Sequence, residues 1–218
     1  MHENKIIIFI ELLALMGTST STVFAKTKSV TPAQKCRFPE ATSTYVIDKQ
    51  SKYYKSVWKK AVSGWNKVGF DWKKSSDSKI HLMALTIKQD KRRVKNPADR
   101  LNKKIAGICL TWRYEGTNII AKEDVKLNKD ALSSNHYTKK QAINVAEHEL
   151  GHALGLNHNL PGSKSVMNPA NRIYPISKPD IRGMKKIYST SVNDDLLSGT
   201  KKPKLVLTVL RIKVNSLK

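Results

Sequence analysis

His148-Glu149-Leu150-Gly151-His152-Ala153-Leu154-Gly155-Leu156-Asn157-His158 is the stretch from which the rest of the chain can be read. It fits H-E-x-x-H-x-x-G-x-x-H. On a helix, His148 and His152 stand one turn apart on one face, close enough to share an ion. Glu149 is then placed to take a proton from water beside the ion rather than to bind the ion itself. Gly155 lets the chain leave the helix in a left-handed conformation that a β-carbon disfavours. That turn returns His158 as a third ligand and leaves the fourth position open, the donor set of a catalytic zinc. The bland alternative is a helix that happens to carry three histidines, and five specified positions argue against it.

The flanks point the same way. Thr138-Lys139-Lys140-Gln141 reads as a capping box. Ala142, Val145, Ala146, Leu150, Ala153 and Leu154 then recur at helical spacing, which predicts a helix over 139–154 whose buried stripe fixes where the histidines point. A second helix is expected over 53–68, with Val57, Ala61, Trp65 and Val68 on one side. Strands are expected over 105–114 and 119–127, joined by Glu115-Gly116-Thr117-Asn118. Residues 88–104, strongly basic and containing Asn96-Pro97, read as a loop, and 26–42 as an exposed leader. Lys204 to Val214 alternates imperfectly and is either a further strand or a tail. His2, His81 and His136 fit no ligand spacing.

In these residues the chain resembles the metzincin metallopeptidases, which place a methionine turn beneath the metal. Ser165-Val166-Met167-Asn168-Pro169 is similar to that turn. The segment Tyr174-Pro175-Ile176-Ser177-Lys178-Pro179-Asp180-Ile181-Arg182-Gly183-Met184-Lys185-Lys186-Ile187-Tyr188 is similar to the last helix of the matrixin branch. Tyr45-Val46-Ile47-Asp48, Ala61 to Asn66 and Ile80-His81-Leu82-Met83 match the N-terminal half more loosely. The resemblance spans roughly 43–188 and is strongest to the small secreted bacterial matrixin-like proteases.

The resemblance implies an α+β fold: a twisted mixed β-sheet with an antiparallel edge strand, two long helices, and a small C-terminal subdomain carrying the methionine turn. It implies a zinc-dependent endopeptidase with His148, His152 and His158 as metal ligands and Glu149 as general base. Gly155, Met167 and Asp180 become structural supports, Met167 as an apolar floor and Asp180 as a brace for the turn. Asp180 reads equally as a helix N-terminal acid favoured by the dipole. Asn144 and Tyr174 are candidates to line the main pocket on the primed side of the cleft; alternatively, Asn144 only hydrogen-bonds along its helix. The segment 105–113 is the candidate edge strand for substrate, and an interior strand is its alternative.

Some family features are missing. Position 169 is Pro, so no tyrosine ligand follows the turn. No His/Asp-rich loop for a second zinc and calcium is recognisable, so one catalytic zinc per chain is expected and calcium is left open. Cys36-Arg37-Phe38-Pro39-Glu40 partly matches the segment whose thiolate caps the metal in matrixin precursors, but lacks the Gly after the Cys. Cys36 and Cys109 are the only cysteines. They are therefore a disulfide of an exported chain, two free thiols, or, for Cys36, a latency ligand.

The chain's 218 residues suit one domain with end segments. Lys5, the apolar run Ile6 to Met16 and Val23-Phe24-Ala25 predict a signal peptide over 1–25 and a secreted protein, although Glu11 interrupts the run. An uncleaved anchor is the alternative, and the run is shorter than the ~20 residues of a membrane span. The expected order is then a leader or short pro-segment over 26–42, the metallopeptidase domain over 43–188 and a basic C-terminal extension over 189–218. The net charge of +23 suggests retention on anionic cell-wall or surface polymers. Aromatics do not alternate with the basic residues as a stacking platform needs, so specific nucleic-acid recognition is not expected. The expected partner is a peptide or protein substrate, and the expected state a monomer.

Overall fold

The helix after the first strand shows how the core forms. In α1 (Lys52–Lys67), Val57, Trp58, Ala61, Val62 and Trp65 repeat on one side and are all buried, while the lysines between them face solvent. Gly69, at φ 110°, turns the chain back into β2. The computed structural model describes residues 28–190, 192 and 204–214, so the expected signal peptide lies outside the described residues. The elements are β1 (Thr42–Ile47), α1, β2 (Asp71–Lys74), β3 (Ile80–Leu85), α2 (Ile87–Arg93), β4 (Ile105–Tyr114), β5 (Ile120–Asn128), α3 (Lys129–Ser134), α4 (Lys139–Ala153), α5 (Lys178–Ile187) and β6 (Leu205–Lys213). No helix among them is long and apolar enough to cross a membrane.

Among the described residues the strands form one sheet in the order β2-β1-β3-β5-β4-β6. β1 runs parallel to β2 and β3, and β3 parallel to β5; β4 is antiparallel to both β5 and β6. The chain thus has the α+β architecture its sequence implies. Strand alternation splits β3 between two apolar layers. Ile80, Leu82 and Ala84 enter the main core beneath α1 and α4, and Met83 and Leu85 join Leu101, Ile105, Ile108 and Leu110 on the other face. Trp58 and Trp65 are fully buried. The Trp65 indole donates to the Glu147 carbonyl at 2.9 Å, which ties α1 to α4.

Three expectations need correction. The basic stretch 88–104 is not simply a loop: its first part belongs to α2, begun by a capping box between Thr86 and Gln89. It is held down by Asp90, which accepts from the Lys126 ammonium at 2.9 Å and the Leu101 amide at 2.7 Å. Lys126 is only 1% exposed, so the pair compensates two charges that would be costly alone. Residues 31–42 are not an exposed leader. Ala33 bridges to Leu156 and Arg37 to Ile119, and Cys36 and Phe38 are buried. The Arg37 guanidinium lies over the Tyr188 ring and donates to the carbonyls of Pro39, Ile187 and Thr190. The third correction concerns the edge of the sheet. β4 is interior, because the segment left open as strand or tail forms β6 and covers it.

Cys36 and Cys109 are both free and buried in the main core. Burial, reinforced by Glu123, pushes the Cys36 thiol up to about 11. Glu123 itself is fully buried on β5, with the Thr111 hydroxyl donating at 2.9 Å to one oxygen and nothing bonded to the other among the described residues. Burial raises its carboxyl well above the usual range. A raised folded-state pKa means this group's contribution is fully present below about pH 4, where the unfolded chain is also protonated. It is lost as pH rises toward the folded value, by up to about 1.4 kcal/mol per pH unit. Glu123→Gln is therefore expected to flatten the fall in stability above pH 4, seen as a smaller drop in the urea midpoint between acid and neutral pH. An unchanged pH profile would show that Glu123 is already ionised in the core.

Candidate metal centre

Each half of the site is placed by a helix end. The capping box at Thr138 and Gln141 opens α4, and the second half of the helix is entirely buried. The helix closes in a Schellman turn, with the Gly155 amide donating to the His152 carbonyl at 3.0 Å and the Leu156 amide to the Gly151 carbonyl at 2.9 Å. Gly155 adopts φ 100°, and a β-carbon there would lie 3.0 Å from the Cys36 carbonyl oxygen. The turn brings His158 back over the helix.

The Nε2 atoms of His148 and His152 are 3.0 Å apart, and those of His152 and His158 3.2 Å. Zinc–nitrogen bonds of about 2.0–2.1 Å in a tetrahedral site put ligand nitrogens roughly 3.3 Å apart, so the spacing fits one ion. The other ring nitrogens fix the tautomers. His148 Nδ1 bonds the Val166 carbonyl at 2.6 Å and His152 Nδ1 the Leu156 carbonyl at 2.9 Å. A carbonyl only accepts, so both Nδ1 atoms carry hydrogen and both Nε2 atoms present lone pairs. Burial holds His148 down to about 3 and His158 to about 4, with His152 also well below its ordinary value. The rings are neutral donors at neutral pH. Among the described residues these three form the cluster able to hold a metal, and Cys36 is not part of it.

Glu149 is fully buried, and neither carboxylate oxygen has a hydrogen-bond partner among the described residues. Burial pushes it well above the usual carboxylate range. The Ile212 backbone amide lies near enough to offset part of that, though outside hydrogen-bonding geometry. Across from it, a β-carbon on Gly107 would stand 2.6 Å from Glu149 Oε1, so only glycine at that point of β4 leaves the carboxyl room. Neighbouring Glu147 is raised to about 7, chiefly by burial.

Beneath the histidines lies the segment Ser165–Pro169. Met167 is fully buried, and a β-carbon on Gly151 would collide with its Sδ. Asp180, at the start of α5 and fully buried, accepts from Thr31 Oγ1 at 2.7 Å, Ser165 Oγ at 2.5 Å, the Val166 amide at 3.1 Å, and the Ser177 amide and hydroxyl at 3.0 and 2.6 Å. Through Val166 it is one residue's backbone away from His148. Asn144 is buried, and its amide donates to the Arg172 carbonyl at 3.1 Å, while the Asn171 side chain donates to the Tyr174 carbonyl and accepts from the Tyr174 amide. Asn144 and the Tyr174 loop are thus neighbours.

Sequence reasoning missed two supports. The Gln34 amide donates to the carbonyls of both His152 and Leu156. Asn159, buried beside His158, bonds Thr31 Oγ1 at 2.9 Å through its side chain and the Met167 carbonyl at 2.8 Å through its amide. An Asn one residue after the last ligand is the only trace of that clasp in the sequence.

Three imidazoles converging on one point at the end of a buried helix, beside a carboxylate with no hydrogen-bond partner among the described residues, are the arrangement of a zinc metalloendopeptidase site. The matrixin family model matches residues 35–189, most of the chain, and the protein belongs to that family. Comparison with curated proteins found no match.

Proposed function

We propose that this protein is an exported endopeptidase in which Glu149 is the general base. The observation that carries the reading is the Glu149 carboxyl itself: one residue from a metal ligand, buried, and with neither oxygen hydrogen-bonded among the described residues. The bound zinc would supply a Lewis acid that polarises the scissile carbonyl and brings the pKa of water to about 7. Glu149 takes the proton from the attacking water and passes it to the departing amine. His148, His152 and His158 hold the ion, with the first two oriented by backbone carbonyls. Met167 serves as an apolar floor, and Asp180 holds the turn that carries it. Asn144 and Tyr174 border the primed-side pocket, Asn144 by tying α4 to the loop that bears Tyr174. The Lys5-led apolar run supports export.

The test combines metal analysis with a peptide library. One zinc per chain and library cleavage abolished by a chelator are expected. His158→Ala should lower zinc affinity by at least about tenfold, because two helix histidines leave the ion under-coordinated. Cleavage that survives removal of all zinc would overturn the reading.

A second reading concerns the surface. Lys52, Lys55, Lys59 and Lys60 ring one shallow depression on the outer side of α1. With the net charge of +23, this favours retention on anionic polymers, which should weaken steeply with salt.

A further inference from the structure

β4 has two backbone edges. One pairs with β5 from Gly107 to Arg113. The other would be open to an extended peptide, the arrangement by which a sheet edge takes up a strand. In this protein β6 fills it, antiparallel and in register from Gly107↔Ile212 to Tyr114↔Leu205, with a one-residue shift before Ile105↔Lys213. At its C-terminal end β6 is bonded on both sides. The Val214 amide donates to the Lys104 carbonyl at 2.9 Å, and the Lys213 amide to the Pro169 carbonyl at 3.1 Å. Pro169 is the last residue of the Ser165–Pro169 segment under the metal site. The strand therefore lies between the sheet edge and the wall opposite, where a cleft would hold its peptide.

The occupant also covers the proposed base. Ile212 pairs with Gly107, the residue whose missing β-carbon accommodates Glu149, and both Ile212 and Glu149 are fully buried. Elsewhere β6 is half exposed or exposed, whereas β4 is buried from Ile105 to Thr111. Leu207 and Val209 rest on the second apolar layer, and Thr208 and Leu210 line a cavity with Cys36, Arg113 and Asn157. Backbone pairing with alternate side chains in shallow seats is how an added peptide is held, rather than how a central strand is built. The family match ends at residue 189, before β6 begins.

We infer that β6 is an intramolecular occupant of the peptide-binding edge, and that it keeps the enzyme latent until it is displaced. The inference rests on the endopeptidase reading above. The test uses the full zinc-loaded chain and a variant carrying both Val209→Pro and Leu210→Pro. Adjacent residues of an antiparallel strand point their amides to opposite sides, so one of the two prolines removes a bond to β4.

Hydrogen exchange at Ile105–Tyr114 should quicken in the variant while α4 stays protected, and a synthetic peptide of residues 204–214 should restore the protection. Peptide cleavage should rise at least about tenfold in kcat/KM, mainly through a lower KM, and the same peptide should inhibit competitively. Unchanged kcat/KM in an active variant with an opened β4 would overturn latency and leave the peptidase reading standing. Loss of α4 protection together with β4 would make β6 a structural strand and overturn the inference. Restored β4 protection without cleavage by either protein would sink the peptidase reading, and latency with it, while keeping β4 as a peptide-binding edge.

Discussion

Glu149→Gln is expected to fold, to bind one zinc, and to cleave peptides at least about 100-fold more slowly than the parent chain, the scale of a lost general base. The amide has almost the shape of the carboxylate, so it fits the space that Gly107 leaves. It also removes the cost of burying an ionisable group that has no bonded partner among the described residues. Stability should therefore hold or rise while kcat falls. Zinc content and kcat/KM measured on the same preparation separate the two effects. A Glu149→Gln protein with full activity would remove the carboxylate from the mechanism.

Asp180→Ala is expected to be the most destabilising of the single changes considered. It leaves the Val166 and Ser177 amides and three hydroxyls without their shared acceptor in a fully buried place. Orphaned buried donors cost about 1–3 kcal/mol each before relaxation, and a net loss of roughly 3–5 kcal/mol is expected. That is a large share of the ~5–15 kcal/mol that holds an ordinary domain together. Asp180→Asn should not rescue it, since both oxygens accept and an amide nitrogen would face a donor. Because Val166 also receives the His148 Nδ1 hydrogen, zinc affinity should fall with stability. A urea midpoint within error of the parent would show that the donors find other partners.

The metal helix was legible because its signals are local. A capping box, a 3.6-residue stripe and fixed ligand spacing all lie between Thr138 and His158, and the α1 and β4–β5 readings rest on similar short-range patterns. What the sequence hid depends on distant partners. Thr86 and Gln89 do form a capping box, but four basic residues in the next turns, Lys88, Lys91, Arg92 and Arg93, masked the helix. Its anchor, Asp90 on Lys126, joins positions 36 apart in sequence. Residues 31–42 pack through single contacts and backbone bridges that leave no periodicity. β6 alternates imperfectly because one face meets apolar seats and the other is half wet, and nothing in its own residues says that β4 is its neighbour.

Arg37 has a consequence of another kind. By bonding the carbonyls of Ile187 and Thr190 and lying over Tyr188, it brings the first and last residues of the family-matched stretch together. The catalytic unit is in effect a closed ring of chain fastened at one clasp. Chain entering and leaving such a ring does so through the same small area. Extra segments can be spliced on at either end, or the unit set into a loop of another protein, from that one area; in this chain the segment beyond it lies along β4 as β6. A circular permutant joining residues 35 and 189 at this clasp would keep the pairings among β1, β2, β3, β4 and β5 and would leave β4 without β6.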